Sequence, residues 1–192
     1  MTQRLPAKSR ATLASSIRRR EAARSIGFGP VATPQARVLI LGSLPGVRSL
    51  ADREYYAQPQ NAFWRIMDAL IGAGPQLPYA ARLERLKRRG IALWDVIRSA
   101  VRAGSMDSAI ERNTIHANDF AAFFTAHSRI ELVCFNGQTA ANLWRRTVVP
   151  ALSLEHASIA TRILPSTSPA YASMRLDGKL ERWHEALEPF LQ

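Results

Sequence analysis

Four short apolar runs most constrain what this chain can fold into: ARVLILG at 36–42, IALWDVI at 91–97, IELVCFNG at 130–137 and ATRIL at 160–164. Each is too short for a buried helix and rich in β-formers, and three run straight into Gly, Asn or Pro, as buried strands entering loops do. Between them lie stretches with apolar residues at helical spacing: AFWRIMDALIGAG after Asn61, a basic segment near 79–89, one near 117–127, QTAANLWRRTVV, and 174–191. Residues after 97, through Gly104, read as a polar loop. Strands alternating with helices predict an α/β protein of three layers, α/β/α, around a central, largely parallel sheet of four to five strands. Such sheets place ligands beyond the carboxyl ends of their strands. The loops GSLPG, FNGQTA and LPSTSPAYAS, with the stretch YYAQPQNAFW that follows the first, are therefore where function is expected.

The 192 residues, 47% of them hydrophobic, suit one domain. The breakers Gly27, Gly29, Pro30 and Pro34 separate it from an arm bearing Arg18, Arg19, Arg20 and Arg24, so the expected division is a basic arm over 1–34 and a single domain over 35–192. Lys plus Arg number 26 against 15 Asp plus Glu, a formal charge of +11, which points to a polyanionic partner. All but three of the cations are arginine, a bias that suits forked contacts to phosphate and equally follows from GC-rich coding. The single cysteine, Cys134, lies inside an apolar run and reads as a buried small hydrophobe; one thiol holds no disulfide, zinc site or iron–sulfur cluster. The four histidines are scattered without metal-ligand spacing, so no metal and no cofactor is expected. The apolar runs are too short for a bilayer and the basic N-terminus lacks a signal-peptide apolar stretch, so a cytoplasmic protein without membrane contact is expected.

GSLPG lacks the glycine pattern of a dinucleotide site and the GK[ST] of a P-loop. Its company sharpens it: Tyr55 and Tyr56 are followed by Asn61 just before a helix, and a base turned out of a duplex needs an aromatic face and amides for its polar edge. Asn61 also suits a helix cap, and Phe63 and Trp64 read as core. Asn136 ends the third run, either as a cap or as an amide facing the same end of the sheet. Asp95 is a buried-looking carboxylate that could lock a turn or meet a base. Ser166, Thr167 and Ser168, framed by Pro165 and Pro169, form a rigid turn whose hydroxyls and amides could clasp a phosphate. No GxSxG elbow accompanies any serine, and no lysine falls in a motif loop, so neither acyl transfer nor a Schiff-base lyase is expected.

Taken in order, from about Arg37 to Leu191, these loops resemble the uracil-DNA glycosylase superfamily, and within it the hypoxanthine-specific branch, which is related to the mismatch-specific members. GSLPG with YYAQPQNAFW is similar to the family's glycine-rich loop and its aromatic–His–Pro–x–Asn–x–Phe–Trp stretch. ILPSTSPA with KLERWHEAL is similar to the loop that clasps the lesion strand and the helix behind it. The resemblance implies a metal-independent, monofunctional DNA glycosylase of base excision repair, acting as a monomer on DNA that carries a deaminated base. It implies Asn61 and Asn136 as catalytic residues and Gly42, Ser43, Tyr56 and Asp95 around the base. Ser166, Thr167, Ser168, Pro169, Ala170 and Tyr171 would contact DNA, with Ala170 or Tyr171 filling the gap in the duplex. Ser43 stands where mismatch-specific members carry a water-positioning asparagine, which favours hypoxanthine over uracil or xanthine. Gln58 replaces a common histidine and Tyr171 a common asparagine. The alternatives are another base specificity on this scaffold and a catalytically silent nucleic-acid binder.

Overall fold

The computed structural model describes residues 24–191. Its centre is a four-stranded sheet, β2 (Val38–Gly42), β3 (Ile91–Asp95), β6 (Leu132–Asn136) and β7 (Ala160–Leu164), ordered β3-β2-β6-β7 with every pairing parallel. The expected α/β/α layering with a parallel sheet is what the chain forms.

All of β2 and β3 is buried because helices cover both faces, which explains why these strands read as unbroken apolar runs and not as alternation. Alternate residues go to opposite layers. Val38, Ile40, Leu93 and Cys134 pack with α2 (Phe63–Ile71), α3 (Tyr79–Arg88) and α7 (Leu176–Leu187), where Phe63, Met67, Leu86 and Trp183 are fully buried. Leu39, Leu41, Val133 and Phe135 face the other way, onto Phe120, Phe123 and Phe124 of α4 (Phe120–Ala126) and Trp144 of α5 (Gln138–Thr147). Helix α2 stops where Gly72 takes a left-handed turn, φ 67, that its missing side chain permits.

A second sheet was not expected. The run expected as one strand over 91–97 breaks at Val96, and its last residue with the stretch after 97 that reads as loop forms β4 (Ile97–Val101), which pairs antiparallel with β1 (Arg24–Ile26) and β5 (His116–Ala117). Ile97 and Ala100 are fully buried against Leu44 and Ile110 while Arg98 faces out, so a half-buried strand was hidden in a polar stretch. Residues 24–34, read as the end of an arm, lie on the domain: Val31 and Leu93 exchange both backbone hydrogen bonds at 2.9 Å, Trp94 Nε1 donates to the Phe28 carbonyl at 2.9 Å, and Phe28 meets Tyr55 edge-on. The arginine-rich stretch 1–23 lies outside the described residues. Two short helices complete the path, α1 (Val47–Asp52) and α6 (Leu154–Ala157).

Register matters most for function. Gly42 is level with Asp95, and Asn136 with Leu164, so the strands end together and open their following loops onto one edge of the sheet.

Candidate active site

At that edge lies a cleft of about 1050 Å³. Every residue expected at the site lines it: Gly42, Ser43, Tyr56, Asn61, Asp95, Asn136 and 166–171.

Gly42 has a steric role. A Cβ there would lie 2.3 Å from Asp95 Oδ1 and 3.2 Å from the Tyr56 hydroxyl, so the last residue of β2 has to be bare for the carboxylate and the phenol to converge over it. The backbone then fixes the loop, with Val96 N donating to the Gly42 carbonyl at 2.9 Å and Ile97 N to that of Ser43 at 3.0 Å. Asp95 is 4% exposed and its Oδ2 has no hydrogen-bond partner among the described residues. Burial pushes this carboxyl up to about 8; the Asp107 charge adds to the shift and Arg102 opposes it. At neutral pH it is mainly the neutral acid, an O–H donor facing the cleft.

Tyr56 holds a left-handed backbone, φ 55, that is costly for an aromatic residue. Its ring stacks on Phe63 at 4.1 Å and 25°, and its hydroxyl is buried without a partner of good geometry, beside the Asn136 carboxamide. Burial and the Asp95 charge raise the phenol far above its ordinary value, so it is a donor at any physiological pH.

The two asparagines are held differently. Asn61 Oδ1 accepts from Phe63 N at 3.0 Å, a cap-like contact at the start of α2 that leaves the amide N–H groups unbonded among the described residues. Asn136 is tied to Thr167 twice: Nδ2 donates to Thr167 Oγ1 and Oδ1 accepts from Thr167 N, both at 2.8 Å. The Thr167 carbonyl accepts from Ala62 N at 2.9 Å. One residue, 1% exposed, thus ties the Asn61 segment and the Asn136 strand end to the serine-rich loop. Thr167 differs here from the expectation that it grips phosphate with its neighbours, because its hydroxyl is spent inside. Ser166 and Ser168 stand on the cleft side, each accepting from an amide of their own loop at 3.3 Å. Gly137, φ 97, is required beneath them, since a Cβ would meet Ser166 Cβ at 2.8 Å. Pro169, Ala170 and Tyr171 form the exposed tip. Lys179 Nζ supports that tip from beneath, donating to the Tyr171 carbonyl at 3.0 Å and lying 5.2 Å from its ring centroid.

Sequence reasoning missed one side of the cleft. Arg102, with a fully buried side chain, donates to the carbonyls of Leu44 (3.1 Å) and Pro45 and thereby holds the GSLPG turn. Its guanidinium is 3.9 Å from Asp107, which accepts from Ser43 Oγ at 2.6 Å. Ser105 Oγ accepts from Val47 N at 3.0 Å. The signal was present as GSMDS at 104–108, a Gly-Ser turn carrying a carboxylate just after a strand. Arg48, Arg162 and Arg182 also line the cleft. Among the described residues no group of three or more His, Cys, Asp or Glu is placed to hold a metal ion, and no helix is long and apolar enough to cross a membrane.

Residues 28–191 match the family model of the uracil DNA glycosylase superfamily. The chain is 36% identical over 163 residues to a hypoxanthine DNA glycosylase of Methanosarcina barkeri, covering 84% of this chain and 97% of the relative. It is 37% identical over 145 residues, 75% and 86% of the two chains, to a hypoxanthine DNA glycosylase of Methanosarcina acetivorans. A solution NMR structure from Methanosarcina acetivorans, provisionally assigned as a uracil DNA glycosylase, superposes with a TM-score of 0.68 at 34% identity, over 86% of this chain and 99% of that one. With the family model spanning most of the length, a relative 36% identical over most of both chains and a fold to match, the chain belongs to the uracil DNA glycosylase superfamily.

Proposed function

We propose that the protein is a monofunctional, metal-independent DNA glycosylase that turns a deaminated base, hypoxanthine, out of the duplex and hydrolyses its N-glycosidic bond to leave an abasic site. The observation that carries this reading is the convergence of Asn61, Tyr56, Asp95 and Asn136 on one cleft at the carboxyl edge of the sheet. Two relatives, 36% and 37% identical to this chain over the matched residues, are named hypoxanthine DNA glycosylases.

Hydrolysis requires a cationic sugar on one side and a departing anionic base on the other, so the site must present donors to the base before charge develops. Asp95 as the neutral acid and the Tyr56 hydroxyl are two such donors, buried where the dielectric is low. The unbonded amide of Asn61 is a third. A row of donors suits the O6 and N7 acceptors of hypoxanthine and opposes the amino group of adenine, which is itself a donor. Tyr56, backed by Phe63, offers its remaining face for stacking. Asn136 lines the same cleft, and its two bonds to Thr167 leave one N–H for the base. Carboxamides are weak bases, so Asn61 and Asn136 act by position and preorganised donors. Ser166 and Ser168 grip phosphates flanking the lesion, and Ala170 or Tyr171 fills the vacated stack. The enzyme works as a monomer in the cytoplasm.

Duplexes each bearing hypoxanthine, uracil or xanthine, read by alkaline cleavage at the abasic site, test the proposal. Cleavage of the hypoxanthine duplex ahead of the others is expected. Asn61→Ala should lower base release by about 100–1000-fold, the scale of losing one preorganised donor, while duplex binding survives. Tight binding with no strand breakage for any lesion refutes the proposal in favour of a silent binder.

A further inference from the structure

Donors alone account for the leaving base; the attacking water still needs a group that accepts its proton. Neither asparagine can do that, and the hydroxyl of Ser43, just after β2, is a weak base already donating its proton to a carboxylate. The structure puts a carboxylate beside that serine from another element. Asp107 follows β4 in the GSMDS turn, lines the cleft, and accepts from Ser43 Oγ through Oδ1. Its second oxygen has no hydrogen-bond partner among the described residues, and its side chain is about a third exposed (35%), so the carboxylate is reachable from the cleft yet not freely solvated. Arg102, buried beneath, holds the carbonyls of Leu44 and Pro45 and faces Asp107 at 3.9 Å, which fixes the loop and the carboxylate as one unit.

We propose that Asp107 is the catalytic base of this enzyme, holding the attacking water with Oδ2 and taking its proton, while Ser43 and Arg102 are the residues that position it. This rests on the glycosylase reading given above. As the water oxygen bonds to C1′ of the sugar, the bond from C1′ to the base nitrogen breaks and its electron pair leaves with the base. The water proton passes to Asp107, and the base anion, held by Asp95 and Tyr56, is protonated from solvent. An anionic Asp107 also faces the developing sugar cation, so the residue favours the same transition state by charge and by proton transfer. Burial raises the Asp107 carboxyl above its ordinary value, against the pull of Ser43 and Arg102, which makes it a better proton acceptor than a solvated aspartate.

The groups facing Asp107 are Arg102 after β4, Asp95 at the end of β3 and Tyr56 after α1. Arg102 stays charged, and Asp95 and Tyr56 titrate on the alkaline side. An acid limb that disappears with the Asp107 carboxylate belongs to Asp107, and one that stays belongs to another cleft carboxylate such as Glu185. Single-turnover cleavage of a hypoxanthine duplex should therefore fall by about 100-fold or more in the isosteric Asp107→Asn enzyme, the usual scale for a general base, and lose its acid limb, with duplex affinity and melting temperature held. Asp107→Ala should regain activity with added formate, whereas Ser43→Ala should lose less and keep the acid limb. Near-normal turnover by Asp107→Asn overturns the assignment, and so does a fall with the acid limb intact and no formate rescue, which marks a purely structural carboxylate. If the wild-type protein cleaves no lesion duplex, the glycosylase reading falls and takes this one with it; if the wild-type protein and Asp107→Asn cleave alike, only the role of Asp107 is lost.

Discussion

Replacing Thr167 by valine tests whether the cleft is assembled by the interior of the serine loop. Valine keeps the shape and the backbone bonds, so Thr167 N still donates to Asn136 Oδ1 and the carbonyl still accepts from Ala62 N. What disappears is the acceptor for Asn136 Nδ2 at 2.8 Å. At a position 1% exposed, the orphaned N–H has little water to turn to, and the cost is about 1–3 kcal/mol. For a chain of this size each kcal/mol lowers the melting temperature by about 2–4 °C, so the expected fall is about 2–12 °C. The rate should fall further than stability implies, because a carboxamide with one anchor can swing; misplacement on the ångström scale costs about 10–100-fold. Single-turnover cleavage beside a thermal melt measures both, and Thr167→Ser, which retains the hydroxyl, should stay close to wild type. Valine behaving as wild type in rate and melting would show that Asn136 is oriented by something other than Thr167.

Gly42→Ala should cost about 100-fold in rate, because its Cβ would displace the Asp95 carboxylate from 2.3 Å toward ordinary contact; a structure or rate matching wild type would contradict this steric reading. Asp95 is raised to about 8, so its donor role should be present below that pH and lost as pH rises through it. Asp95→Asn should remove this alkaline limb from kcat, and a limb that persists belongs to another group. Folding follows the same sign: the buried neutral acid contributes stability fully below the ordinary carboxylate range, lost as pH climbs through about 8, readable as a falling melting temperature. Arg162, exposed on β7 and lining the cleft, should contact phosphate; Arg162→Ala should make the plot of log affinity against log salt shallower by about 0.9, and an unchanged slope would place it off the DNA.

The central sheet was legible because parallel strands covered on both faces leave continuous apolar runs, as at Val38–Gly42 and Leu132–Asn136. The residues at their ends, Gly42, Asp95 and Asn136, could be read from position alone. The antiparallel sheet was not legible: β1 and β5 have three and two residues, and their partner β4 carries its pattern in only Ile97 and Ala100. Within the loops, composition told which residues could act but not which way they face. Ser166, Thr167 and Ser168 look alike in sequence, and only the backbone path sends Thr167 inward. Asp107 is not legible in sequence, because a carboxylate in a polar turn carries no mark of the serine that meets it from 64 residues away.

The order of strands bears on how the chain acquires its shape during synthesis. Among the described residues β2 is the second strand in chain order and sits in the middle of the large sheet, yet its partners lie at Ile91–Asp95 and Leu132–Asn136. The Arg24–Ile26 strap waits equally for Ile97–Val101, and Trp183, fully buried near the other end, must arrive before the first layer is closed. Nearly every decisive contact is distant in sequence, a topology that nucleates slowly. A nascent chain stalled before Leu132 would carry β2 with a bare apolar edge, a form that invites chaperone capture or aggregation.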